Sequence, residues 1–145
     1  MVTWTTYGTW LQGDARGYVK DGEIRGENVA LKIDCAKKLK CRPTRLDRNE
    51  RMIVRDAILA ASRRFRQEIR AIAVRSNHVH VVAEYVDVPI GMVVGTYKNA
   101  ARVGLRKQGF EGRVWTRGYD RQFCFDQAAF KARITYVAKH EKAVE

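Results

Sequence analysis

The 145-residue chain contains three histidines, and two of them share the run His78-Val79-His80-Val81-Val82. The third, His140, follows Tyr136 by four residues. Residues two apart in a β-strand point to one face. His78 and His80 would therefore stand side by side, with Val79 and Val81 on the opposite face. Two imidazoles on a rigid strand make half of a metal site. Residues four apart on a helix share a face, so Tyr136 and His140 would as well. An isolated His-x-His is more often a pair of ordinary strand histidines. Here the remaining histidine is coupled to a tyrosine, and the set then combines metal ligands with a potential nucleophile.

Two kinds of element must position these groups. Ile69 to Tyr85 is rich in β-branched residues and reads as two strands broken near Arg75-Ser76-Asn77. Asp126 to Lys142 reads as a helix capped by Asp126. Phe130, Ile134 and Val137 form its apolar stripe, which leaves Tyr136 and His140 on the flank. Before these, Val2 to Leu11 is a strand former through its Thr and aromatic content, with Gly8 as a bulge or close approach. Trp4, Tyr7 and Trp10 could stack on bases, although sheet packing accounts for at least two of them.

Residues 12 to 45 form an excursion. It holds an expected hairpin about Asp21-Gly22 and a short helix over Asn28 to Lys40, ending in a basic cluster. Leu46 to Gln67 is the first long helix, with Asp47 and Glu50 spaced as a capping box. Its buried stripe is read as Ile53, Ala57, Ala60, Ala61 and Phe65. Pro89 opens a second helix at its first turn, and Gly109 stops it. Lys98, Arg102 and Arg106 recur along one side of that helix, a stripe spaced for phosphates or simply a solvated face. Arg113 to Phe125 reads as a last strand kinked at Gly118.

The order is strand, excursion, helix, strand, strand, helix, strand, helix. Without the excursion and final helix, this is the split βαββαβ unit of a ferredoxin-like α+β fold. That fold predicts a four-stranded antiparallel sheet with helices on one face and the other face open. An insertion follows the first strand, and the extra C-terminal helix would bring Tyr136 to the histidines. The length suits one domain over residues 1 to 145.

The formal charge is +12, with a pI near 10.0. Such an excess on a small domain points to a polyanionic partner, most simply nucleic acid. No run of apolar residues is long enough for a membrane span, and no secretory signal is expected at Met1. Cys35, Cys41 and Cys124 are odd in number and form no Cys-x-x-Cys, so reduced thiols in a cytoplasmic protein are expected.

His78-Val79-His80 among apolar strand residues resembles the HUH motif, in which U is a bulky hydrophobe. Thr3 to Asp14 (TWTTYGTWLQGD) resembles the opening of a branch of small single-tyrosine transposases, including relatives associated with repetitive extragenic palindromes. Val114-Trp115-Thr116-Arg117-Gly118-Tyr119 is similar to their Trp-x-x-Gly-Tyr stretch. Tyr136 sits where that family carries its nucleophile, followed four residues later by Gln or Asn. This resemblance spans nearly the whole chain. It implies a transposase or endonuclease that cuts single-stranded DNA, with His78, His80 and His140 around a divalent ion and Tyr136 attacking phosphorus. The products would be a 5′-phosphotyrosine link and a free 3′-OH, and the strands could then be rejoined. Mg²⁺ or Mn²⁺ is implied. His140 in place of an amide shifts preference away from Mg²⁺ and leaves Zn²⁺ open. Relatives recognise hairpins formed by imperfect palindromes, so Lys98, Arg102, Arg106, Arg117 and Arg133 become expected DNA contacts. Arg133, one turn before Tyr136, could also assist its deprotonation. Family members occur as monomers and as dimers with sites composed across subunits, and a homodimer stays open here.

Three other readings remain. One is a non-catalytic nucleic-acid binder on the same fold. Another is a hydrolytic phosphodiesterase in which Tyr136 is structural. The last is an inactive or domesticated relative. Tyr97 and Tyr119 are rival nucleophiles; Tyr97 falls on the core stripe of its helix.

Overall fold

The computed structural model describes residues 1–142. It is a mixed α+β structure with four helices and a four-stranded antiparallel sheet. The elements are β1 (Val2–Thr5), the hairpin β2 (Tyr18–Lys20) and β3 (Glu23–Arg25), α1 (Val29–Lys37), α2 (Arg48–Ser62), β4 (Ile69–Val74), β5 (His78–Ala83), α3 (Ile90–Lys107), β6 (Asp120–Arg121) and α4 (Gln127–Lys142). The main sheet runs β4-β5-β1-β6. Among the described residues, no helix is long and apolar enough to cross a membrane.

Local chemistry explains most of the boundaries. Asp47 Oδ1 accepts from the Glu50 N–H, and the Glu50 carboxylate accepts from the Asp47 N–H, so the expected capping box starts α2. Asn28 and Asp126 accept from Leu31 N and Ala129 N at the starts of α1 and α4. Asp21 and Gly22 both take positive φ (54° and 78°), which suits the tight β2–β3 turn. Gly109, also at positive φ, follows the end of α3.

Several expected elements are shorter. The first strand ends at Thr5 because Gly8, at φ +74°, turns the chain away. The last strand shrinks to Asp120–Arg121; Trp115 keeps one bridge to Thr6, and Gly118 at φ +86° breaks the run between them. α2 stops at Ser62, where a 3₁₀ turn ends in left-handed Arg66. Its fully buried line is Val54, Ile58, Ala61 and Ser62; of the expected stripe, Ile53, Ala57 and Phe65 pack half-buried against the same core beside Ala61, and Ala60 is exposed. Pro89 lies one residue outside α3 as its cap, with an extended ψ of 128°.

The sheet separates two cores of unequal size. On one face, Trp4, Ile72, Val79 and Val81 pack with Val54 and Ile58 of α2 and Val94, Tyr97, Ala101 and Leu105 of α3. On the other, Ala73 and Val82 meet Val137 of α4, flanked by Phe130 and Ile134. The expected open face is thus covered by α4 over β4 and β5. Ala71 and Ala73 are the β4 residues on that face. Their small side chains let the helix approach closely, and this approach positions its polar flank over β5.

Candidate metal centre

The strand register builds the site. β1 pairs with β5 so that Thr3 lies opposite His80, Trp4 opposite Val79 and Thr5 opposite His78. Alternation sends Trp4, Val79 and Val81 into the larger core. Thr3, Thr5, His78 and His80 face the α4 side. The His78 and His80 ring centroids are 4.7 Å apart.

α4 completes the cluster. The His140 ring is 5.9 Å from that of His78 and 5.3 Å from that of His80. One potential ligand nitrogen from each of the three imidazoles lies within 4.8 Å of the other two, so the three histidines could hold a metal ion. The Tyr136 ring stands 4.8 Å from His140 and 5.8 Å from His80, and is 44 % exposed. Arg75 Nη1 donates to the His140 carbonyl at 2.7 Å. That bond ties the last turn of α4 to the end of β4, with the cation at the negative end of the helix dipole.

The donor set is suited to a metal. Asn77 Oδ1 can only accept, so His78 Nδ1, 2.8 Å away, carries the proton and Nε2 keeps its lone pair. His80 Nδ1 lies 2.7 Å from Thr3 Oγ1, whose hydroxyl can accept in the same way. Such partners on the far nitrogen fix the tautomer and orientation of metal-ligating imidazoles. Burial, reinforced by the neighbouring imidazoles and Arg75, pushes His78 and His80 down to about 4. Both rings are therefore neutral at physiological pH, the form that ligates.

The supporting residues come from β1 and the turn after it. The Asn77 carbonyl accepts from Thr6 N at 2.9 Å and from the Thr6 and Thr9 hydroxyls at 3.2 and 3.3 Å. Spacing in the sequence cannot assign these roles, because Thr3 and Asn77 meet the imidazoles through strand register and turn geometry. Further on, Asp14 is buried and binds Arg16 at 2.7 Å and Lys32 at 3.2 Å. Its hydrogen bonds from Arg16 hold the carboxyl well below the usual range. Arg16 in turn lies over the Trp10 ring at 4.2 Å, and Trp10 Nε1 donates to the Gly17 carbonyl. Gly13 permits the fold of this loop: at φ +90°, an added Cβ would fall 2.2 Å from the Asn28 carbonyl oxygen.

A cleft of about 620 Å³ contains the three histidines and Tyr136, with Trp10, Arg117, Tyr119 and Arg133 also on its walls. Arg117 and Arg133 thus reach the site. Lys98, Arg102 and Arg106 do not line it. Lys98 donates to the Thr116 and Gly118 carbonyls, and Arg106 to the Phe110 and Gly112 carbonyls. Arg102 donates to Asn99 Oδ1 on the exposed helix surface. Two of the three stripe residues therefore brace the loop after α3. Tyr97 is buried, donates to Gln67 Oε1, and is pushed up to about 12 by burial. Tyr119 turns its hydroxyl toward Gly91 at the start of α3. Trp4 packs edge-on against Trp115 and is buried, so of the two tryptophans in the cleft wall Trp10 is the exposed one.

Compared with known proteins, the chain matches no family model and no curated protein.

Proposed function

We propose that this protein is a metal-dependent single-stranded DNA endonuclease and strand-transfer enzyme of the HUH single-tyrosine kind, with Tyr136 as nucleophile. The observation that carries this reading is the convergence of Tyr136 with three imidazoles across two elements far apart in sequence. The sheet order β4-β5-β1-β6, with α2 and α3 on one face, supports a ferredoxin-like fold extended by α4. The charge of +12 fits a polyanionic substrate.

His78, His80 and His140 hold the ion. When bound, it supplies Lewis-acid polarisation of the scissile phosphate. Three nitrogen donors suit Mn²⁺ or Zn²⁺ better than oxygen-seeking Mg²⁺. Thr3 and Asn77 hold the two strand imidazoles in the ligating tautomer. Arg117 and Arg133 bind phosphates beside the reacting one. Tyr136 Oη attacks phosphorus and loses its proton to water on its solvent side. The bond to the 3′ oxygen breaks, and that oxygen takes a proton to become a free 3′-OH. The new bond is a 5′-phosphotyrosine. Attack on it by a 3′-OH restores a phosphodiester and returns the phenol.

Hairpin-bearing single-stranded DNA, incubated with Mn²⁺, Mg²⁺ or EDTA and run on a denaturing gel, tests the reading. A protein–DNA adduct should form with Mn²⁺, disappear in EDTA, and be absent in Tyr136→Phe. An undiminished adduct in that variant would remove Tyr136 from its role. Cleavage without any adduct would assign a hydrolytic phosphodiesterase instead.

A further inference from the structure

A second depression lies beside the metal cleft. It encloses about 790 Å³ between the β5–α3 connection and the segment from β6 into α4. That volume is in the range of ligand pockets. Its apolar walls include Val86, Val88, Ile90 and Phe130, and its rim carries Phe123 and Phe125. Phe125 is 92 % exposed and Phe123 58 % exposed, with ring centroids 6.3 Å apart. Side chains this apolar gain nothing by facing water, and the fold does not use them in either core.

The groove and the metal cleft adjoin. Met1 and Gln122 line both, and the Gln122 N–H donates to the Met1 carbonyl at 2.8 Å in the wall they share. Cations follow the same path. Arg117 and Arg133 line the cleft, and Arg121 and Lys131 line the groove. Among the described residues, none of the four takes part in an ion pair. The Arg121 guanidinium lies 5.7 Å from the centre of the Phe123 ring. The acidic groups of the groove are already engaged: Asp126 caps α4, and Glu84 faces Arg70 at 3.8 Å.

We propose that this groove is a binding site for unpaired nucleotides flanking the reacting phosphate, with bases against Phe123 and Phe125 and phosphates along Arg121 and Lys131. The proposal rests on the nuclease reading above and adds the location of the flanking strand. Exposed aromatic faces interleaved with unpaired cations suit a ligand that is flat and apolar on its bases and anionic along its backbone. A second copy of the chain suits the groove less well, because it would bring another net +12 against these free cations.

Fluorescence anisotropy with a labelled 12-nucleotide oligothymidine, in EDTA to prevent chemistry, tests the site. The probes are the full chain, the double variant Phe123→Ala/Phe125→Ala, and the double variant Phe123→Leu/Phe125→Leu. Circular dichroism checks folding. Both variants should bind roughly 10- to 100-fold more weakly than the unaltered protein, as loss of base stacking predicts. Unchanged affinity in the alanine variant, or no binding of the oligomer by the unaltered protein, would overturn the groove as a nucleotide site. Full affinity in the leucine variant would do the same, since stacking needs the rings. A dimer in sedimentation that the alanine variant dissociates would reassign the groove to a second copy. The Tyr136 adduct assay reads the cleavage chemistry independently, so either proposal can fail alone.

Discussion

The two faces of β5 differ by one residue of register and by everything they do. Val79 and Val81 are fully enclosed in the larger core between the sheet, α2 and α3. His78 and His80, one position along, point at a thin second layer where α4 contributes one fully buried residue, Val137. One face holds the fold together through apolar burial. The other spends its positions on imidazoles that contribute little hydrophobic area and are held by hydrogen bonds to Thr3 and Asn77. A polar site is tolerated because the opposite face supplies the stability. Its ligands gain rigidity from the same strand.

If the division is real, damage to one face should leave the other's property intact. The sharpest break is a crossed pair. His80→Ala should abolish metal-dependent adduct formation, a loss of more than about 100-fold, while the melting temperature measured in EDTA moves by only a few degrees. Ile58→Ala removes a fully buried core side chain and should cost about 2–5 kcal/mol, lowering the melting temperature by on the order of 10 °C. The Ile58 variant that still folds at low temperature should retain its metal affinity. If His80→Ala unfolds the chain as badly as Ile58→Ala, the division between faces fails.

A smaller effect is expected one shell out. Thr3→Val keeps the shape of the strand residue but removes the oxygen beside His80 Nδ1. Metal affinity, measured by competition with a chelating dye, should weaken by roughly 10- to 100-fold. Equal affinity would mean that the hydroxyl does not orient the ring.

The smallest effect is the pH dependence of the metal-free chain. His78 and His80 are held near 4 in the folded state, below their ordinary 6.5. Between those values the unfolded chain binds more protons, so stability should fall as pH drops from about 6.5 toward 4 and should be fully present above 6.5. Urea unfolding in EDTA at pH 4.5, 5.5 and 7 measures the slope. A His78→Gln/His80→Gln variant should flatten it, and an equal slope in that variant would assign the pH dependence to other groups.

Short-range patterns carried much of the architecture. The capping box at Asp47 and Glu50, the turn at Asp21-Gly22 and the break before His78 each depend on a few adjacent residues, and each forms where expected. The run at 7–11 did not become strand, and that at 113–125 kept only Asp120–Arg121 and a single bridge at Trp115, because glycines at positive φ outweigh the β propensity of their neighbours. The basic stripe on α3 shows a different limit. Spacing places Lys98 and Arg106 on one side of a helix, but only the folded loop after it reveals that their charges are bound to its carbonyls.

Residue types and their local periodicity by themselves determined which side chains could do chemistry: two imidazoles on one face of a strand, and a phenol with an imidazole on one face of a helix. Both follow from backbone repeats of a few ångströms, which a sequence carries directly. Tertiary structure alone decided that α4 crosses to the second face of the sheet and sets His140 5.3 Å from His80. It also decided that Thr3 and Asn77 fix the rings and that Arg117 and Arg133, not the α3 stripe, reach the cleft. These are contacts between residues separated by many positions, and they follow from packing, strand register and loop closure, which no local pattern encodes.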